Sequence, residues 1–110
     1  MTIYKKMSEE KYIEWLKTGE KPVEVRLATD VFLNCNRIIW TVCNTNNKYS
    51  STVIKRTIFD TFEDCLNYYG FKKLICDSTS YDECLRIYKS FYPNKDYLDY
   101  KIVALSLNFD

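Results

Sequence analysis

The residues best equipped for chemistry are Lys21, Glu24 and Arg26, within the stretch Gly19-Glu20-Lys21-Pro22-Val23-Glu24-Val25-Arg26. A carboxylate flanked by two cations can act as a general base on water while a cation stabilises a developing oxyanion. Other chemistries are excluded by composition. The sequence contains no histidine, which removes Ser-His-Asp and Cys-His catalysis and every histidine-based zinc site. The five cysteines (Cys35, Cys43, Cys65, Cys76 and Cys84) include no Cys-x-x-Cys pair. Dispersed, reduced and mostly buried thiols are expected from them, with no disulfide framework, metal or cofactor.

The local sequence positions the trio. Val23, Val25 and Leu27 alternate with Glu24 and Arg26, the period-2 pattern of a half-buried strand. Glu24 and Arg26 then share one face and the three apolar residues the other. Strict alternation sends Lys21 to the opposite face from Glu24. Pro22 disfavours helix at Lys21 and marks the point where a turn gives way to the strand. A lysine in that turn can swing over the strand end and reach Glu24. By spacing alone, a solvated strand with an ordinary ion pair is the simpler reading.

The flanking elements follow from pattern. Met1 to Met7 forms a short strand or an arm. Ser8 is the expected N-cap of a helix with Glu9 and Glu10 in its first turn, Tyr12, Ile13, Trp15 and Leu16 on its apolar side, and Gly19 as its stop. Residues 30–36 read as a connector. Arg37 to Cys43 is dense in β-formers and reads as a central strand, Asn44 to Ser51 as a hairpin loop, and Thr52 to Phe59 as the next strand. Asp60-Thr61-Phe62-Glu63 and Ser80-Tyr81-Asp82-Glu83 are capping-box patterns that open two more helices. The first closes at Gly70 and the second before Pro93. After a polar turn at 94–99, Tyr100 to Phe109 reads as a closing strand, buried on both faces from Ile102 to Leu105.

The chain has 110 residues and a formal charge of only +1. That length supports one domain, residues 1–110, with a sizeable core. The charge lacks the strong positive field of a dedicated duplex binder, although a local basic cleft stays compatible with it. No apolar run approaches a membrane span and no signal-peptide core is present, so an intracellular protein, cytoplasmic or nuclear, with no membrane partner is expected. The fold class expected from the element order is α+β.

Four pieces of the sequence, in order, resemble the ASCH domain, a small branch of the PUA-like superfamily. Gly19-x-Lys21-x-Val23-Glu24-x-Arg26 is close to the family's Gly-x-Lys-Thr-Val-Glu-x-Arg signature. Phe59 to Leu66 is similar to its aromatic-x-Ser/Thr-Phe-x-x-x-Leu helix start. Ser80 to Pro93 resembles its Ser-x-x-Glu helix ending in an aromatic-rich Tyr-x-x-x-Tyr-Pro segment. Tyr100 to Leu107 is similar to its closing Tyr-Gly-Val-Val-Ala-Ile strand. The pieces span about residues 12–109. Pro22 stands where the family has Thr, Lys101 where it has Gly, and Asn34-Cys35-Asn36 where it has a Gly-Asp turn.

The resemblance implies a small PUA-like β-barrel with two to three packed helices and a cleft into which Lys21, Glu24 and Arg26 point. It further implies binding of single-stranded RNA or a modified nucleoside. Lys21, Arg26, Lys55 and Arg56 are the candidates for phosphate, and Tyr88, Tyr92 or Tyr100 for stacking a base. One branch, the N4-acetylcytidine amidohydrolases, implies an alternative. There Lys21 matches the proposed base, whereas Glu24 stands where that branch has a nucleophilic Thr. A glutamate cannot replace the hydroxyl in forming an acyl-enzyme, so a metal-free hydrolase here would use Glu24 and Lys21 in acid/base roles on an acylated nucleoside or on RNA. A third reading is a protein-interaction domain in which the charged motif is structural.

Overall fold

The computed structural model describes residues 1–110. Five strands form a single sheet that curls into a half-barrel, with three longer helices and one short helix packed on it, an α+β architecture compatible with a small PUA-like barrel. The strands are β1 (Thr2–Met7), β2 (Glu24–Leu27), β3 (Arg37–Val42), β4 (Lys48–Phe59) and β5 (Ile102–Phe109). Their order across the sheet is β1-β3-β4-β5-β2. β1 runs parallel to β3, and all other pairings are antiparallel. The candidate trio thus lies on or beside one edge strand, β2, and β1 forms the other edge.

Helix α1 (Glu10–Thr18) connects those two edges. It buries Tyr12, Ile13 and Leu16, and Gly19 ends it at φ 87, the left-handed conformation glycine adopts without a Cβ penalty. Its N-cap position is Glu9 rather than Ser8, and no side chain caps it. Residues 30–34 form a further short helix, α2 (Asp30–Asn34), where a connector was expected. Five residues give too little periodicity to read, and its order comes from tertiary contacts. Phe32 is buried beneath it, and Arg56 donates to the carbonyls of Phe32 (Nε, 2.8 Å) and Cys35.

The β3–β4 loop is shorter than the sequence suggested, because β4 starts at Lys48. The polar residues Ser50, Ser51 and Thr52 lie inside that strand. They are satisfied there: Ser51 accepts from Trp40 Nε1 at 2.9 Å, and Thr52 accepts from Arg37 at 3.0 Å. Helices α3 (Phe62–Tyr69) and α4 (Tyr81–Ser90) begin at Thr61 and Ser80, whose hydroxyls accept from the amides of Asp64 and Glu83. For α3 the capping residue is thus Thr61 rather than Asp60. In α4, Glu83 reaches back to the amide and hydroxyl of Thr79, one residue further out than a standard capping box.

The core joins the concave face of the sheet to the helices. Trp40, Phe62, Leu66, Leu74 and Ile75 are fully buried there, and the four residues Ile102–Leu105 of β5 have no exposed surface. Cys35, Cys65 and Cys84 are buried free thiols within it. Burial raises the Cys65 thiol to about 12 and the Cys84 thiol to about 11. No helix is long and apolar enough to cross a membrane.

Candidate functional site

β2 crosses the floor of a cleft of about 210 Å³ between the sheet and helices α1 and α4. The period-2 reading of this strand is correct in phase, because Glu24 and Arg26 lie on one face and bond to each other. It underestimates burial. Glu24 is only 5% exposed, since α1 and α4 cover the face that would otherwise meet solvent. Buried carboxylates need partners, and Glu24 has two. Arg26 donates to Oε2 through both Nε (3.1 Å) and Nη2 (2.9 Å), while Lys21 Nζ lies 3.6 Å from Oε1.

Lys21 is the more unusual group, with 1% of its surface exposed. The turn at Gly19–Pro22 delivers it over the strand end, and its own amide bonds to the Trp15 carbonyl at the end of α1. Its ammonium donates to the Leu74 carbonyl at 2.6 Å and to the Tyr88 hydroxyl at 3.0 Å. Two of its donors are thus bound to protein acceptors, and Glu24 Oε1 at 3.6 Å faces it as an ion-pair partner beyond hydrogen-bond reach. Desolvation lowers the Lys21 pKa, and the Glu24 charge only partly opposes that. The Tyr88 hydroxyl is held well above its ordinary value, chiefly by burial.

Arg26 joins the two edges of the sheet. Its Nη2 also donates to the Lys6 carbonyl of β1 at 3.1 Å, so a side chain spans the seam where no backbone ladder runs between β1 and β2. The guanidinium lies 4.9 Å from the Trp40 ring centroid, a cation–π contact that fixes its plane. Its Nη1 has no protein acceptor. The floor of the cleft therefore offers one donor edge and the second oxygen of a carboxylate.

The walls are aromatic. Tyr12, Tyr88, Phe91 and Tyr92 line the cleft. Tyr88 is buried and stacked on Phe62 (centroids 5.3 Å apart, planes 17° apart), so it serves as a rigid wall rather than a free platform. Phe91, 44% exposed, stands at the rim.

Of the candidate residues, the structure gathers Lys21, Glu24, Arg26, Tyr88 and Tyr92 in this cleft. It places the other three elsewhere. Lys55 is exposed on β4, Tyr100 is 48% exposed just before β5, and Arg56 is turned onto the carbonyls after α2. A register shift between Val53 and Lys55 resets the alternation of β4, so the facing of Lys55 and Arg56 could not be read by counting. The sequence reading did not assign Lys6, Met7, Ser8, Tyr12, Cys43 or Phe91 to the site. Tyr12 and Phe91 were recognisable only as members of apolar helix faces.

No protein-family profile matches the chain, and no curated protein sequence matches it. Solved structures do, two of them as follows. The crystal structure of hypothetical protein PH0355 superposes with a TM-score of 0.79 at 22% identity, covering all of both chains. The solution structure of protein PF0455 from Pyrococcus furiosus gives 0.75 at 19% identity, covering 99% of this chain and 97% of its own. The chain shares their fold.

Proposed function

We propose that the cleft binds the base of a nucleoside, free or within single-stranded RNA, and that the chain is a nucleoside- or RNA-binding domain of the ASCH type. The observation that carries this reading is the pairing of a free donor edge on Arg26 with the second carboxylate oxygen of Glu24 on the floor of a small aromatic-walled cleft. A carboxylate accepts from the exocyclic amine of cytosine, and a guanidinium donates to carbonyl and ring-nitrogen acceptors. Phe91 and Tyr92 supply the apolar contact that a base requires. The four ASCH-like sequence pieces support the family assignment, and the half-barrel is compatible with it.

A second reading, metal-free hydrolysis of an N4-acylated cytidine, has one observation in its favour: a buried lysine of depressed pKa beside a carboxylate. In that reaction Glu24 takes a proton from water as the oxygen attacks the acyl carbonyl, then returns it to N4 as the C–N bond breaks, releasing acetate and cytidine. Two donors of Lys21 are already committed to Leu74 and Tyr88, which favours a positioning role for it and so favours binding over turnover.

The deciding experiment titrates the four common ribonucleosides, N4-acetylcytidine and a single-stranded RNA into labelled protein by NMR, with cytidine release followed in parallel. Shifts confined to β2, α1 and the end of α4 are expected, and they should vanish in Glu24→Gln. Release of cytidine lost in that variant would instead establish the hydrolase. No shifts with any of these ligands would refute the nucleoside reading and leave a protein-interaction domain.

A further inference from the structure

The cleft does not end at Arg26. A second hollow of about 320 Å³ lies beside it, lined by Lys6, Thr41, Val42, Cys43, Asn44 and Thr45 at the end of β3 and the following turn. Lys6 and Cys43 line both hollows. They are therefore neighbouring compartments of one groove that passes the C-terminal end of β1.

The charge along this groove is one-sided. The first compartment has three cationic residues, Lys6, Lys21 and Arg26, against the single carboxylate of Glu24. The second has Lys6 and no acidic residue. Lys6 takes part in no ion pair, a property it shares with seven other lysines; what sets it apart is its place between the two hollows. The groove thus carries three cations against one carboxylate in a chain of formal charge +1, an excess that favours an anion. The rest of the second lining, Thr41, Asn44 and Thr45, adds hydroxyl and amide groups able to hydrogen-bond phosphate oxygens.

We infer that the groove takes a nucleotide rather than a bare nucleoside, with the base in the aromatic compartment and its phosphate in the second compartment beside Lys6 and Asn44. This rests on the nucleoside reading and specifies it further. The phosphate can be the terminal monoester of a mononucleotide or the diester that leads to the next residue of an RNA strand. Lys6 is suited to both, because an exposed ammonium acts on phosphate as a point charge and demands little orientation. Its backbone carbonyl receives Arg26 across the seam. One residue of β1 therefore joins the part of the groove that reads the base to the part that holds the phosphate.

The test compares affinities of each ribonucleoside and of N4-acetylcytidine with those of their 5′-monophosphates and 3′-monophosphates, and of a dinucleotide, in wild-type protein and in Lys6→Ala. Lys6 is exposed and its carbonyl contact survives the substitution, so the variant is expected to fold; its heteronuclear spectrum verifies this. A phosphorylated ligand should bind about fivefold more tightly than its nucleoside at low salt, the ratio expected for one partly exposed charge contact. That advantage should be lost in Lys6→Ala, so that the variant binds each nucleotide no more tightly than its nucleoside. A stronger gain for the dinucleotide than for either monophosphate identifies the diester as the natural ligand, and the reverse identifies a mononucleotide. Equal affinity for nucleosides and nucleotides in wild-type protein would overturn this inference and leave the nucleoside reading intact. Absence of binding by every ligand would overturn both.

Discussion

Replacement of Lys21 by methionine separates what the buried ammonium does for the fold from what it does for a ligand. Methionine retains most of the length and apolar bulk of lysine, so little cavity forms and the loss is chiefly electrostatic. The variant removes donors from the Leu74 carbonyl and the Tyr88 hydroxyl, and it removes one of the two cations beside Glu24. Breaking a buried pair from one side costs about 3–5 kcal/mol. Arg26 still holds Glu24 through two bonds, and Tyr88 can still donate to Leu74, at 3.4 Å in this structure. The expected loss is therefore at the lower end, about 3 kcal/mol, which a domain of ordinary stability survives. With a urea m-value of about 1.5 kcal/mol per molar, the midpoint should fall by about 2 M. Lys21→Met/Glu24→Gln, which removes both charges, should be more stable than the sum of the two single losses predicts, by about 1 kcal/mol or more. A midpoint shift of Lys21→Met below about 0.5 M, with no coupling in the double variant, would refute the reasoning. It would mean that the ammonium is solvated rather than bound among these acceptors.

Two further predictions concern groups outside the trio. Unfolded thiols release their protons near pH 9, whereas burial holds Cys84 protonated to about 11 and Cys65 to about 12. Between those values the unfolded state binds fewer protons, so stability falls as pH rises, by about 2 kcal/mol from pH 9 to 10 for the two thiols together. Lys21, whose pKa is lowered in the fold, contributes the opposite slope below 10.5. The thiol part is therefore isolated by urea midpoints of Cys84→Ser against wild type at pH 7, 9 and 10, where the variant should lose less on the alkaline side; identical slopes would contradict the assignment. Arg56→Ala should lower the thermal midpoint through loss of its bonds to the carbonyls of Phe32 and Cys35, costing about 1–3 kcal/mol, and leave nucleotide affinity unchanged. A loss of affinity with undiminished stability would return Arg56 to the ligand side.

The sequence carried the trio and its order because two strong local signals agreed there. Alternation from Val23 to Leu27 gave the facing of Glu24 and Arg26, and Pro22 gave the break that frees Lys21 to turn back. The depth of burial was not legible. It is imposed by α1 and by Tyr88 of α4, the latter 64 residues beyond Glu24, and a strand pattern does not reveal what covers it. The same limitation hid Lys6, Met7 and Cys43, which reach the cleft through the curl of the sheet rather than through any spacing in the chain. Lys55 and Arg56 lie outside this cleft, and their facing was not legible for a local reason: the irregularity after Val53 breaks the count on which strand facing depends. The α+β class and the longer elements were legible, because the two serine- and threonine-started helices and the apolar β5 segment have unambiguous patterns, whereas the five-residue α2 and the early start of β4 were not.

The pairing of β2 with β5 sets when the cleft can exist. Glu24 lies opposite Leu105 and Leu27 opposite Ile102, contacts about 80 residues apart in sequence. β5 is also the strand that joins β2 to the rest of the sheet through β4. As the chain is synthesised, β1, β3 and most of β4 can pair early, but β2 has no neighbour until β5 has emerged. Until then Lys21, Glu24 and Arg26 remain solvated, where their charges incur no desolvation cost and impose no structure. Contacts this distant in sequence slow folding, and the cleft around Glu24 depends on one of them. The polar trio is thus desolvated only in the closing step of folding, and a chain able to bind its ligand is one whose final strand is already in place.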